Sequence, residues 1–490
     1  MIPIVPEKSI PTTPSSKDEE LLCDLVDKNQ DAIIDLVKKL VAIDSRIYDD
    51  VIFIDQQPIF SFIEEFMSKA GATCEYYHCP HPHAPEGSDQ AWPSMIASVG
   101  TKENGKDGKV LQFCGHVDVV PFTKEKWSSD PFDPIIKDGK IFGRGTADMK
   151  GGLACLMIAF KLLAESGLLI RNKLQMVFFP DEEISCNYGS RFMAMNHKDA
   201  IDAPTIIGEP TGQPPVQSPV IIIGEKGYAW LRLKFFGASG HGSMPRPRSN
   251  AINKAARFIS HGNLLELPKA KAPIGLLAML RSLLSRFSLK KLLAVAKASD
   301  ETPDLYNEDG LGVGNFFKST ISFNQIHAGT KINVIPDTCE LEIDIRVLPG
   351  ISLQNVLDSF AWYCTELGMR IELPEGIVNM QKKNKKMQKR PVDVAVSVIS
   401  SALGTFEDIR RPFMQLLRHA FEDIYHVKAI HFFAPGCSDA MSLRMAGITD
   451  VVLLGPAGGH AHEENEFVWV DHLVKMCKVY LLAAYRMLCK

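Results

Sequence analysis

Short apolar runs that end on a histidine or a carboxylate recur along this chain, and that recurrence constrains its fold more than any other feature. Val110-Leu-Gln-Phe-Cys-Gly runs into His116-Val-Asp118, and Leu174 to Phe179 runs through Pro180 into Asp181-Glu182-Glu183. Pro204-Thr-Ile-Ile-Gly runs into Glu209, and Val451-Val-Leu-Leu-Gly455 is followed by Gly458-Gly-His460-Ala-His462-Glu-Glu-Asn-Glu466. An apolar run of this length bounded by turn residues reads as a buried strand. Open α/β sheets place their ligands outside the carboxyl ends of such strands. Asp148, in Gly143-Arg-Gly-Thr-Ala-Asp148-Met-Lys-Gly-Gly152, stands just before a helix predicted over Leu153 to Leu163. His116, Asp118, Asp148, Glu182, Glu183, Glu209 and His462 are therefore expected to converge on one cleft.

Imidazoles mixed with carboxylates suit Zn²⁺, with Co²⁺ or Mn²⁺ possible because such donors select weakly among these ions. So many carboxylates around one cleft would repel one another without cations. A lone His-x-Asp or Glu-Glu pair is weak evidence. The whole set, distributed over predicted strand ends, reads as a metal-assisted hydrolase.

A chain of 490 residues is expected to divide into two or three domains. Residues 1–18, with their prolines among Ser, Thr and Lys, read as a flexible tail. Helical spacing follows between Glu19 and Ile43 and again from Phe60 to Met67. His78-Cys-Pro-His81-Pro-His83 reads as an exposed loop and not as a metal cluster, because of its prolines. From Gly227 the style changes: Tyr228 to Phe236 alternates as a strand, Ala251 to Ile259 is helical, and Ser319 to Ile326 and Cys339 to Val347 are strand-like. Leu353 to Leu367 (helix) and Arg370 to Leu373 (strand) complete a β-α-β-β-α-β, ferredoxin-like order. The fold class is thus α/β: a mixed-sheet catalytic domain over 19–226 and 377–490, with an α+β domain inserted at 227–376.

Within that inserted domain, 262–317 is an extra stretch with Leu276, Leu277, Leu280, Leu283, Leu284 and Phe287 on one helical face. Such stripes more often pack on a neighbouring domain or subunit than lie on a membrane. The basic run Lys382 to Arg390 reads as a solvated linker. A net charge of −4 offers no concentrated basic surface for nucleic acid. Eleven cysteines without a C-x-x-C pair, no signal-peptide pattern at Met1, and no uncharged apolar run of bilayer length lead to the expectation of a reduced, cytoplasmic protein.

The runs Gly-His116-Val-Asp118-Val-Val-Pro, Asp-Pro-Phe132, Gly-Arg-Gly-Thr-Ala-Asp148-Met-Lys-Gly-Gly, Asp-Glu182-Glu183 and Gly-Glu209-Pro-Thr resemble the acetylornithine deacetylase and succinyl-diaminopimelate desuccinylase family. Aminoacylases, glutamate-type carboxypeptidases and dipeptidases are its wider relatives. The resemblance extends from about residue 30 to 485. It implies a co-catalytic pair of Zn²⁺ ions bridged by Asp148, with His116 and Glu209 on one and Glu183 and His462 on the other. His462 is preferred to His460 because His462-Glu-Glu-Asn-Glu466 matches the family's His-x-x-Asn-Glu pattern.

The same resemblance implies that Asp118 orients His116, that Glu182 is the general base, and that the inserted domain is a lid and dimer interface. His241, in Ser239-Gly-His241-Gly, would serve the neighbouring subunit's site of a homodimer. Arg346 would read the substrate carboxylate, and Asn333 would be a second lid contact. The extra stretch 262–317 departs from the family's compact lid and puts delivery of His241 across a dimer in question. A glutamate at position 209 and the Trp127-Ser-Ser-Asp-Pro-Phe132 run favour a small N-acyl amino acid as substrate. A short peptide, cleaved by a carboxypeptidase or dipeptidase, is the alternative, and a silent metal-binding homologue is a further one.

Overall fold

Alternation fixes the strand at the centre of the sheet. In Val110–His116, Leu111 and Phe113 enter the core on one face while Cys114 enters the core on the other, all of them fully buried. A strand buried on both faces needs helices on both sides. The computed structural model, which describes residues 16–48, 54–84, 90–100, 108–168, 172–212, 218–262, 265–268, 318–379, 381 and 389–490, supplies them. Helices Lys150–Glu165 and Val470–Leu488 belong to the larger core on one side, with Lys17–Lys28, Gln30–Ala42 and Gln57–Lys69. Ser190–Asn196 and Asp439–Met445 supply the core on the other.

The mixed sheet runs Thr73–Pro80, Ala91–Val99, Lys173–Phe179, Val110–His116, Thr205–Ile207, Val451–Leu453, Ile221–Glu225, Thr405–Phe406, with His431–Ala434 also pairing to Ile221–Glu225. Four neighbours in that order, Lys173–Phe179, Val110–His116, Thr205–Ile207 and Val451–Leu453, are mutually parallel. Their carboxyl ends therefore open at one edge, and Glu182, His116, Glu209 and the loop of His462 follow directly.

A small four-stranded sheet brings the last of these into place. Phe467–Trp469 pairs with Gly458–Gly459 and with Lys140–Phe142, so the loop of residues 460–466 lies against the segment leading to Asp148.

The inserted sheet has the order Thr320–Ala328, Thr338–Val347, Gly227–Phe236, Val394–Ala402, Ile371–Glu372. Helices Ala251–Ser260 and Leu353–Glu366 cover one face, where Phe258, Phe360 and Tyr363 join Leu231, Leu233, Phe235 and Ile343 in a second core. The boundary expected at 376 is corrected by this pairing. Val394–Ala402 lies antiparallel to Gly227–Phe236 over its length and is the fourth ferredoxin-like strand; Ile371–Glu372 is a short parallel addition at its edge. A break rich in Lys and Gln separated the two in sequence and hid the continuation.

Other expectations shift by smaller amounts. The N-terminal helix begins at Lys17, with Glu19 N donating to Ser16 Oγ at 3.4 Å, so the last residues of the expected tail are structured. His78 to Pro80 belong to a strand, and His81 is buried with its ring 5.5 Å from that of Trp92; the exposed loop is not observed at those positions. Nearly all of 262–317, including the Leu276 to Phe287 stripe, and 382–388 of the basic run lie outside the described residues.

A fragment comparison tests the corrected boundary. Residues 227–404 are expected to give a cooperative thermal melt by circular dichroism, while 227–376, which lacks a central strand, is expected to show none. Equal cooperativity in both fragments would contradict the assignment.

Candidate metal centre

His116 is fully buried at the end of its strand, and Asp118 sets the direction of its ring. His116 Nδ1 lies 3.0 Å from the Asp118 carbonyl and 3.3 Å from Asp118 Oδ1. The Asp118 carboxylate also accepts from Glu182 N at 3.3 Å and Glu183 N at 3.0 Å, so one buried side chain anchors both the imidazole and the acidic turn. Asp181 shapes that turn from the other end, accepting from Tyr188 N at 2.6 Å and Gly189 N at 2.7 Å.

Asp148 stands between the two imidazoles. Its Oδ1 is 3.2 Å from His116 Nε2 and its Oδ2 is 3.3 Å from His462 Nε2. Glu209 Oε1 lies 3.4 Å from His116 Nε2, and Glu183 Oε2 lies 2.9 Å from His462 Nε2. Ligand atoms of His116, Asp148 and Glu183 all fall within 4.8 Å of one another, as do those of His116, Glu182 and Glu209. Glu182, expected as a base, thus sits within reach of the same donors.

The scaffold around these groups explains the glycines and the motif ends. A Cβ on Gly152 would stand 1.8 Å from Gly208 O, so glycine there lets the helix start press against the residue preceding Glu209. Glu466 is buried and accepts from Gly145 N, Ala147 N and Asp148 N at 2.9, 2.8 and 2.9 Å, and from Arg144 Nη1 at 2.5 Å. It holds the Asp148 loop as a capping group would. His462 has φ +66° and Asn465 φ +58°, left-handed conformations that cost a non-glycine residue about 1–3 kcal/mol. Asn465 is tied by Ser128 N at 2.9 Å.

The packing of these donors shifts their proton affinities. Burial works against charging His116, yet Glu209, Asp118 and Asp148 hold its imidazole well above the ordinary value. Hydrogen bonds to Asp148 and Glu183 hold His462 up at about 10. Burial pushes Glu183 to about 7, Glu209 to about 8, and Glu182 well above the usual glutamate range. Burial also tends to raise Asp148, but the two imidazoles outweigh it and leave that carboxyl depressed. The His462–Glu183 pair raises both partners, where a simple ion pair would lower the acid. The acid's side chain is 4% exposed and the imidazole's 54%, so desolvation of Glu183 exceeds what its half-exposed partner returns.

Glu183 Oε1 and Glu209 Oε1 are buried without hydrogen-bond partners among the described residues, and the set combines imidazole and carboxylate donors. The residues present fit a divalent cation.

Not every expected residue joins this cluster. His241 is exposed on a two-residue strand that pairs with Val334–Ile335, its Nδ1 2.7 Å from Ser243 Oγ. Asn333 is exposed beside it, its carbonyl accepting from Gly242 N at 2.8 Å. No contact between either and the cluster is present among the described residues. Arg346 is half-buried, bound to Asp344 through Nε at 2.9 Å and Nη2 at 3.0 Å. Sequence reasoning overlooked Glu466, which it used only to choose His462. It also overlooked Asp439, a buried carboxylate near His116 and Asp118 that in sequence looks like an ordinary helix start after Ser438.

The donor set and the sheet edge define a hydrolase centre, and comparison with known proteins agrees. Peptidase family M20/M25/M40 matches residues 113–486, and the chain belongs to that family. It is similar to an uncharacterized metallohydrolase of Methanocaldococcus jannaschii, with 26% identity over 79% of this chain and 82% of the relative. It is 30% identical to the acetylornithine deacetylase of Photorhabdus laumondii over 66% of this chain and 69% of that enzyme. For the acetylornithine deacetylase of Proteus mirabilis the figures are 32%, 54% and 55%, so the match spans about half that relative's length. The fold resembles human carnosine dipeptidase 1, with a TM-score of 0.66, 16% identity, and 97% and 99% of the two chains covered. Among the described residues no helix is long and apolar enough to cross a membrane.

Groups whose proton affinity burial or a neighbouring carboxylate raises, as at Glu183, Glu209 and His462, bind a cation in competition with protons. Zn²⁺ titrated into metal-free protein in weak buffer is expected to release about one proton or more per ion, with affinity rising between roughly pH 6 and 8. No release, or affinity falling with pH, would contradict that competition.

Proposed function

We propose that this protein hydrolyses the amide bond of an N-acyl amino acid, using two Zn²⁺ ions, with Co²⁺ or Mn²⁺ as substitutes. The observation that carries this reading is the placement of the Asp148 oxygens, one toward His116 and one toward His462, with Glu182 beside them. In this reading His116, Asp148 and Glu209 would hold one ion, and Asp148, Glu183 and His462 the other. When bound, such a pair polarises the amide carbonyl and lowers the pKa of a water.

The chain's own residues do the rest. Glu182, part-buried and anchored through its backbone N–H to Asp118, takes the water's proton and returns it to the leaving amine. Asp118 keeps His116 in one tautomer. Arg346 has Nη1 turned toward Cys437 Sγ at 3.9 Å and presents the guanidinium that receives the substrate carboxylate.

His241 and Asn333 stand together on an exposed ribbon with Ile332 and Met244, which are also exposed. This supports a homodimer in which the ribbon reaches the partner's site, where His241 donates to the oxyanion. The conditional element is the extra stretch 262–317. A carboxypeptidase or dipeptidase of the same fold is the second reading; release of amino acids from dipeptides but not from acyl-amino acids would favour it.

With Zn²⁺ or Co²⁺ added, turnover of an N-acetyl-amino-acid panel by Glu182→Gln is expected to fall about 10²- to 10⁴-fold in kcat, the usual scale for loss of a general base. Equal rates in both proteins would remove Glu182 from that role. A mixing test addresses His241. Glu182→Gln and His241→Ala, each inactive alone, are expected to regain about a quarter of wild-type activity when subunits exchange, because half the dimers then carry one intact site. No recovery would place His241 outside the partner's site.

A further inference from the structure

The strand Gly227–Phe236 turns its even-numbered side chains to the face of the inserted sheet that the helices leave open. Two aromatic rings, Tyr228 and Trp230, lie there with centroids 5.1 Å apart. Cross-strand register sets Arg346 opposite Tyr228 and Asp344 opposite Trp230. The Arg346 guanidinium is 5.9 Å from the Tyr228 ring centroid, and Tyr228 Oη is 3.1 Å from Ser400 Oγ. Farther along, the same face carries Arg232 with Glu342 and Lys234 with Glu340. Trp230 is 41% exposed, a large apolar surface at the head of a row of ion pairs.

The near end of this row comes up against the segment before the helix Asp439–Met445 within one chain. Arg346 Nη1 reaches Cys437 Sγ, which lies two residues before buried Asp439. The Cys437 thiol is close enough to feel the charges of both Glu182 and Arg346. A carboxylate held at Arg346 Nη1 would lie beside the Tyr228 ring, with the Trp230 ring next along the same face.

We propose that Tyr228 and Trp230 form the subsite for the substrate's amino-acid side chain, and that this enzyme prefers N-acyl amino acids with aromatic or large apolar side chains over cationic ones. The inference rests on the deacylase reading and on Arg346 as its carboxylate anchor. Two aromatic faces offer a flat apolar surface on which such a side chain stacks in offset or edge-on geometry.

Charge decides against an ornithine-like side chain. Lys226 Nζ donates to the Lys318 carbonyl at 2.6 Å, beside the same corner. Burial, then Arg346 and Lys318, bring the Lys226 ammonium down to about 8, so the Arg346 end of this face already carries positive charge. Asp344, the carboxylate next to the rings, is engaged by Arg346 Nε and Nη2. The attraction of a cation to an exposed ring is too weak to reverse this.

The test compares kcat/KM of the full-length, metal-supplied enzyme on N-acetylphenylalanine, N-acetylleucine, N-acetylalanine and N-acetylornithine. Wild type is expected to favour phenylalanine over ornithine by about tenfold or more, and Trp230→Ala to lower the phenylalanine-to-alanine ratio about tenfold, the range a lost apolar contact gives. Trp230→Phe is expected to keep most of that ratio. No turnover of any N-acetyl amino acid would sink the deacylase reading itself. Turnover of N-acetylalanine, with an unchanged ratio in Trp230→Ala or with ornithine preferred, would sink the subsite alone. Sedimentation velocity separates a further outcome: loss of the dimer in Trp230→Ala with specificity intact would make this face a subunit contact and overturn the proposal.

Discussion

The repulsion among buried carboxylates governs this molecule. Asp118, Asp148, Glu182, Glu183 and Glu209 crowd one sheet edge, and Asp181 and Asp439 stand behind them, both buried. Charged groups withdrawn from water at such density need compensating charge or protons. His116 and His462 provide part of it, each against an oxygen of Asp148. Every other device near the site holds this unfavourable collection in shape. Asp118 ties an imidazole to the turn carrying two glutamates, and Glu466 gathers three backbone N–H groups of the Asp148 loop while Arg144 neutralises it. The collection has no use as a structural core, since an apolar core of the same size would be more stable.

The connection between the two halves is built as carefully. The chain leaves the large sheet at Glu225 and returns at Thr405, and these residues pair with each other. Glu225 is buried and accepts from Ser438 Oγ at 2.6 Å and Arg444 Nη1 at 3.0 Å, while Arg444 also holds the Val451 carbonyl. A Cβ on Gly227 would stand 2.4 Å from Gly404 N, so the two crossings touch backbone to backbone. Ser438 starts the helix that carries Asp439 toward the centre, so the crossing point and the metal centre share one rigid element.

Much of the site was readable in sequence because burial and chemistry leave different marks. A strand buried on both faces is continuously apolar, so the polar residue ending it stands out, as His116 and Glu209 do. Asp148 was readable only through its motif, since its loop is held by Glu466 more than three hundred residues away and local pattern carries no sign of that. Asp439 left no mark, because Ser-Asp before a helix is an ordinary start signal. The inserted sheet was legible in its alternating strands, yet Val394–Ala402 was assigned to the wrong half: its partner Gly227–Phe236 is distant in sequence, and half-exposed Ser and Ala positions blur its period. His241 and Asn333 were singled out by motif, and in one chain they stand on an exposed ribbon with no contact to the cluster among the described residues.

Metal content of one pair of proteins tests the central claim most directly. Native mass spectrometry of wild type and Asp148→Asn, each saturated with Zn²⁺, counts the ions each chain keeps. The account predicts two ions for wild type, and a loss in the variant that affects both positions, because one carboxylate lies between the two imidazoles. Two ions retained by Asp148→Asn with undiminished affinity, or a single ion in wild type, would contradict it.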